Sequence, residues 1–341
     1  MEMPSFKKII LLIVIVISFY IIYRLIVRRQ TLLAINPLEK TLEELRENFQ
    51  ETMPTIRNTN NLSLPIKEYL CFASWNSCVT SGNNVSLSQL EKVIQNGCRF
   101  LDFEVYNVSG TPEIGYSSSG YIAGQELPEL ETDTIPFIDV CNKIVSTPSP
   151  NSNDPLFIHL RIKSNNIEIL EKMAESFVSS GIENRLYDKN VDENTLLSEL
   201  QNHYVLVIDN TYVPNIDKVA CPKGCKTDIR YMINIFSGTN EMSSIKLSHQ
   251  LQQDVRPLQK KDDNNTNVSK LKLVTHDVGT HHQTKNSDEW KKLIMDYKIQ
   301  IIPFKFYYND DALHEYKNFF SEYGHRAFIP MAVTHDALIH S

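Results

Sequence analysis

Two pairs of residues carry most of the chemistry this sequence can offer. In GCRFLDFEVYN, Asp102 and Glu104 stand two apart, and in DPLFIHLRIK, His159 and Arg161 do the same. That spacing places both members of each pair on one face of a β-strand. Two carboxylates on one buried strand face are costly unless a cation meets them. The cation is either a metal ion or an arginine; the alternative is a solvated pair at a sheet edge. His159 reads as a histidine of the core or rim, with an acid/base role as the alternative. FASWNSCV adds Trp75 and Asn76, and PEIGYSSSG adds Tyr116. Further on, Thr275-His276-Asp277 with His281 and His282 reads as a polar loop, or else as a metal site or a second acid/base group. Cys221 and Cys225, in CPKGC, form a small bridge or half a metal site. No second Cys or His pair follows at zinc spacing. Six cysteines in 341 residues are too sparse for a disulfide-stapled scaffold, and they leave the redox compartment open.

These residues need a scaffold that gathers strand ends. From residue 65 onward, short β-rich runs alternate with amphipathic stretches. The expected strands are Ile66–Ser74, Phe100–Tyr106, Glu113–Tyr116, Leu156–Ile162, Tyr204–Ile208, Arg230–Phe236, Leu271–Thr275 and Ile299–Tyr307. The expected helices are Ser88–Asn96, Pro136–Val145, Ile167–Ser179, Leu196–Asn202, Ser287–Tyr297 and Asp311–Tyr323. Ser86 and Asp310 are suitable N-caps; Gly97, Gly181 and Gly324 are suitable stops. Eight strands interleaved with helices fit an α/β fold of the (β/α)8 TIM-barrel type over residues 65–335. In such a barrel functional groups sit at the C-terminal ends of strands. Trp75 and Asn76 follow the first strand, Asp102 and Glu104 ride on the second, Tyr116 follows the third, and His159 and Arg161 ride on the fourth. A doubly wound open sheet is the alternative fold, but no GxGxxG or P-loop supports it.

Ahead of this domain, Ile9 to Tyr23 is almost continuously apolar, and the stretch resumes after Arg24 to Val27. About nineteen residues at 1.5 Å rise cover about 28 Å, close to the hydrocarbon thickness of a bilayer. Arg28-Arg29-Gln30 follows instead of a small-residue cleavage site, so residues 1–30 are expected to be an uncleaved transmembrane anchor. Lys7, Lys8 and the amino terminus balance Arg24, Arg28 and Arg29. The chain is therefore expected to be a single-pass membrane protein whose orientation the charges leave open. Residues 31–64 read as a polar, helix-prone juxtamembrane stalk. Beyond residue 29 the chain holds 29 basic against 40 acidic residues. Such a domain gains no counterion-release affinity, which argues against nucleic acid as a partner. An apolar share of 42% and a charged share of 22% exclude a disordered or collagen-like chain.

FASWNSCV, GCRFLDFEVYN, PEIGYSSSG, PFIDVCNKI and DPLFIHLRIK, in that order, resemble the X region of phosphatidylinositol-specific phospholipase C. LLSELQNHYVLVID resembles the segment that closes that region, and IQIIPFKFYYNDDALHEYKNFF the family's last strand and helix. GCRFLDFEV and the S-x-N block are the specific parts. The resemblance implies a phospholipase C-like phosphodiesterase barrel directed at membrane phosphoinositides. It also assigns roles. The family's Ser-His-Asn block supplies a histidine that acts as acid/base on the substrate's 2-hydroxyl; here Trp75 stands in its place. The second family histidine falls at Tyr116. Eukaryotic members hold Ca²⁺ with the Asn, two acidic residues of the second strand and an acidic residue of the fourth. Asn76, Asp102 and Glu104 remain, but the fourth position is Arg161. Bacterial members use an arginine where the eukaryotic ones use calcium, yet keep both histidines. The lysines that bind inositol phosphates are not evident around Val207–Asn210.

Indole has no titratable proton near neutral pH and cannot act as a base. A tyrosine, with a pKa of about 10, replaces imidazolium poorly. Arg161 aimed at two carboxylates repels Ca²⁺ and can take its place with charge-assisted hydrogen bonds. The expected protein is thus a membrane-anchored phospholipase C-like barrel, catalytically degenerate and acting in binding or structure. Trp75 and Tyr116 mark the lost catalytic positions, and Asp102 and Glu104 a vestigial, metal-free calcium site. Asn76 and Arg161 are candidate substrate contacts. No cofactor is expected, and the partner is a membrane lipid such as a phosphoinositide, or a protein. The alternative is an active phosphoric diester hydrolase working through relocated groups such as His159 or His276.

Overall fold

The structure, a computed structural model, describes residues 63–340 except 83, 118–132, 165, 167, 212, 214–215, 217–227, 248–269 and 277–284. The expected anchor over 1–30, the stalk up to residue 62, Cys221, Cys225, Asp277, His281 and His282 lie outside the described residues. Among the described residues no helix is long and apolar enough to cross a membrane.

The strands are β1 (Tyr69–Cys71), β2 (Ala73–Ser74), β3 (Phe100–Val108), β4 (Thr111–Gly115), β5 (Ile135–Pro136), β6 (Leu156–Lys163), β7 (Tyr204–Asp209), β8 (Ile235–Ser237), β9 (Met242–Lys246), β10 (Leu271–Thr275) and β11 (Phe328–Pro330). The helices are α1 (Leu87–Gln95), α2 (Phe137–Ser146), α3 (Glu168–Ser180), α4 (Trp290–Tyr297), α5 (Asp311–Glu322) and α6 (Met331–His340). β10, β9, β8, β7, β6 and β3 form one continuous parallel run. β6 is buried along its whole length, as a parallel strand covered on both faces must be. Helices supply part of that cover: α2 buries Phe137, Val140, Cys141 and Ile144, and Phe137 stacks on Phe177 of α3.

β3 has two partners on its other edge. β2 pairs with it in parallel at Phe100 and Leu101, and β4 pairs antiparallel from Glu104 to Val108. No continuous ladder closes the sheet among the described residues. Single parallel bridges instead link Leu273 of β10 to Ile301, Ile301 to Cys71, and Phe304 to Ser74. Tyr316 of α5 braces this seam. Its ring stacks on Phe304 at 3.9 Å between centroids, and its hydroxyl accepts from Ala73 N and donates to Cys71 O, both at 3.2 Å.

Several expected elements take a different form. Ile66–Ser74 divides into a 3-10 turn, β1 and β2, because β1 turns away to pair antiparallel with β11. The expected third strand is antiparallel and makes a hairpin with β3, so it is no member of a parallel ring. Arg230–Phe236 begins as a 3-10 turn over Ile229–Met232, capped by Asp228, and only Ile235–Ser237 is strand. Ile299–Tyr307 makes isolated bridges and no ladder. Leu196–Asn202 forms turns, held through Leu197 N to Leu64 O. β9 (MSSIK) was not expected, since two serines and a partly exposed face hide its period. The caps are as expected: Ser86 and Asp310 accept from Ser88 N and Leu313 N, and Gly97, Gly181 and Gly324 all have positive φ.

Candidate functional site

Register builds the site. In the β3–β6 pair Asp102 lies opposite His159, Glu104 opposite Arg161 and Tyr106 opposite Lys163. All six share one face, while Phe103, Val105, Leu160 and Ile162 enter the apolar core from the other. β2 ends at Ser74, and the chain turns through Asn76 at φ 47°, a left-handed conformation that asparagine tolerates. The turn docks on β3 between its two partners. Asp102 N donates to Ser77 Oγ, Ser77 N donates to Asp102 O, and Asn76 N donates to Asp102 Oδ2 at 2.9 Å.

Arg161 lies at the centre. Its Nε donates to Asp102 Oδ1 at 2.9 Å; one terminal nitrogen donates to Asp102 Oδ2 at 2.6 Å and to Asn76 Oδ1 at 2.5 Å; the other donates to Glu104 Oε1 at 2.7 Å. Lys163 Nζ and the Tyr106 hydroxyl both donate to Glu104 Oε2, at 2.7 and 2.6 Å. The Trp75 indole covers the guanidinium, its ring centroid 3.8 Å from Arg161 Cζ.

Burial pushes the Asp102 carboxyl up, but the Arg161 charge and hydrogen bonds from His159 and Arg161 outweigh it and hold the group far below the usual range. Glu104 is likewise pushed up by burial and pulled down further by Lys163 and Arg161, to about 2. Burial lowers the Lys163 ammonium, with Glu104 opposing. Two carboxylates thus face two cations in a buried network.

The remaining candidates surround this network. His159 Nδ1 lies 2.7 Å from Asp102 Oδ1 and Nε2 lies 2.9 Å from Ser237 Oγ, at the end of β8. His276 Nε2 donates to Pro303 O at 3.0 Å, and its ring lies 4.9 Å from Trp75. Burial and the neighbouring Lys305 charge lower His276 to about 3, so the ring is neutral. Tyr116 packs with Val79 and Tyr307 in a small apolar cluster apart from the main core. Burial, Tyr116 and the Glu104 charge push the Tyr307 phenol well above its ordinary value. Trp75 and Tyr116, the two positions that the resemblance gives to histidines, are thus buried aromatic rings, the first stacked on Arg161.

The donor set does not fit calcium. The oxygens of Asn76, Asp102 and Glu104 already accept from Arg161, Lys163, His159, Tyr106 or the Asn76 amide, and a cation among them would meet the guanidinium. Sequence reasoning missed Tyr106, Lys163 and Ser237. Extending the period of two from Glu104 and Arg161 by one step reaches the first two; Ser237 had no signal, because the strand carrying it was expected to end at Phe236.

No family model matches the chain, and no curated protein does. Solved structures do. PLC21 from L. pealei matches with a TM-score of 0.58 at 14% identity, over 80% of this chain and 38% of that one. PLC21 from S. officinalis matches with a TM-score of 0.58 at 14% identity, over 81% and 38%. A calcium-dependent phosphoinositol-specific phospholipase C from Pseudomonas sp. aligns with a TM-score of 0.45 at 10% identity, over 81% and 99%. The chain spans well under half the length of the two PLC21 proteins. At these identities the likeness is one of fold: the described residues have a mixed α/β, phospholipase C-like architecture.

Proposed function

We propose that this chain is a membrane-anchored phospholipase C-like barrel that engages membrane lipid, a phosphoinositide headgroup in particular, and has lost the calcium-assisted cleavage of inositol lipids. In this reading the bridges through Ile301 and Phe304 close an eight-stranded ring, and residues 1–30 hold it at the bilayer. One observation carries the loss of chemistry. Arg161 lies among Asn76, Asp102 and Glu104 and donates to all three from beneath Trp75. The cation is built into the chain, the base position is an indole, and the neutral His276 is committed to Pro303 O. The test is calorimetric titration of the full chain in detergent micelles with Ca²⁺. No binding is expected below millimolar concentration; tight, stoichiometric binding would overturn the reading.

A further inference from the structure

We propose that Ser237 is a protein nucleophile toward phosphoryl esters, activated by His159 and oriented through Asp102. Asp102 is held as an anion by Arg161 and can only accept, so His159 Nδ1, 2.7 Å away, carries the ring proton. In the neutral ring, the Nε2 lone pair then faces Ser237 Oγ at 2.9 Å, and the hydroxyl is the donor. This is the relation of nucleophile, base and orienting acid found in acyl- and phosphoryl-transfer enzymes. The three groups come from β8, β6 and β3, and Ser237 ends its strand, where barrel folds place their reacting groups. Gly238 follows at φ +76°, so the chain leaves the strand at once; a Cβ there would lie 2.9 Å from Thr211 Oγ1. Ser237, His159 and Asp102 are fully buried, and the residue that follows Ser237, Gly238, is exposed. A small electrophile is therefore the probe of choice. Arg161, which shares Asp102 with His159, brings a cation beside the three groups and is the ground for preferring phosphorus to a neutral carbonyl.

In the step, the Ser237 hydroxyl proton passes to His159 Nε2 and Oγ forms a bond to phosphorus. The bond from phosphorus to the leaving group breaks with its electron pair, and His159 returns the proton to a leaving oxygen. The lost inositol-lipid reaction uses the substrate's own hydroxyl as nucleophile, so this inference and the preceding one stand or fall separately.

The test treats the native full chain in detergent with diisopropyl fluorophosphate and maps the adduct by mass spectrometry. The expected result is a single diisopropylphosphoryl group on Ser237, with fluoride released, formed at least about 100-fold more slowly in His159→Gln and absent from the urea-denatured chain. Should His159→Gln fail to fold, Ser237→Cys replaces it, with iodoacetamide alkylating the new thiol ahead of buried Cys71, Cys78, Cys98 and Cys141. No adduct on native Ser237, or equal labelling of native and denatured chain, overturns the proposal. Inositol phosphate release from the same sample without a Ser237 adduct would overturn both proposals; an adduct without release would support both.

Discussion

Arg161 joins charges that would otherwise be intolerable in a core. Removing it leaves Asp102 and Glu104 buried with Lys163 as their nearest remaining cation, so Arg161→Ala should cost about 3–5 kcal/mol in urea unfolding. A loss under about 1 kcal/mol would show that the network is hydrated in solution. Arg161→Glu asks a sharper question, because it supplies the acid that a calcium site would need on β6. We expect Ca²⁺ to raise the Tm of this variant and leave that of the native chain unchanged; a calcium-dependent Tm in the native chain would contradict the site described above. Titration adds an independent check. Asp102 and Glu104 are depressed in the folded state, so their contribution is complete above the unfolded value of about 4 and is lost as pH falls toward 2 and below. His276 is depressed from 6.5 to about 3, so across that window the unfolded chain binds a proton that the folded chain refuses. Stability should therefore already fall as pH drops from 6.5. His276→Gln should flatten the slope above pH 4 and leave the carboxylate phase in place; an unchanged slope would remove His276 from the account.

At the scale of elements, β2, which leads into the site, depends on a neighbour that is not itself a strand. Asp310 caps α5 through Leu313 N at 2.9 Å, and it also accepts from the Asn286 backbone and side chain. Asn286 in turn accepts from Lys305 N and donates to Lys305 O, which fixes the segment that bridges to β2. Asp310→Ala should therefore cost about 2 kcal/mol, against about 1 kcal/mol for Ser86→Ala, whose side chain serves only its own helix. Equal losses would show that the Asn286 tie adds nothing. The same dependence explains what could be read in advance. Ser86, Asp310 and the apolar faces of α1, α2, α3 and α5 are local signals, and they placed those helices within a residue or so. The pairing of Asp102 with His159 and of Glu104 with Arg161 follows from strand period once β3 and β6 are neighbours, and neighbourhood is topological. Ile301 and Phe304 defeat a local reading because they are extended without a ladder, and β4 does so because nothing in TPEIG states its direction. Ser237 was hidden because the strand that forms runs one residue past the expected end at Phe236, while a 3-10 turn takes the front of that expected strand.

For the whole molecule, the decisive quantity is turnover on an inositol lipid in a bilayer. Cleavage to a cyclic phosphate needs a base within hydrogen-bond reach of the 2-hydroxyl, and each positioned acid/base group typically contributes about 10²–10⁴-fold. Trp75 and Tyr116 occupy both assigned positions, so the loss should be about 4–8 orders of magnitude, or roughly 5–11 kcal/mol of barrier. His276 does not restore it: the ring is neutral, its Nε2 proton is committed to Pro303 O, and its depressed pKa makes it a weak base. The full chain, reconstituted into mixed vesicles containing labelled phosphatidylinositol, should release no inositol phosphate above the rate of empty vesicles. Trp75→His with Tyr116→His should stay silent as well. Arg161 would still fill the cation position in the double variant, held by the same four hydrogen bonds to Asp102, Glu104 and Asn76. Adding Arg161→Glu to that pair is the combination expected to show calcium-dependent release. Robust release by the native chain, abolished by His159→Gln or His276→Gln, would instead place a working base at that histidine and make the chain an active phosphodiesterase.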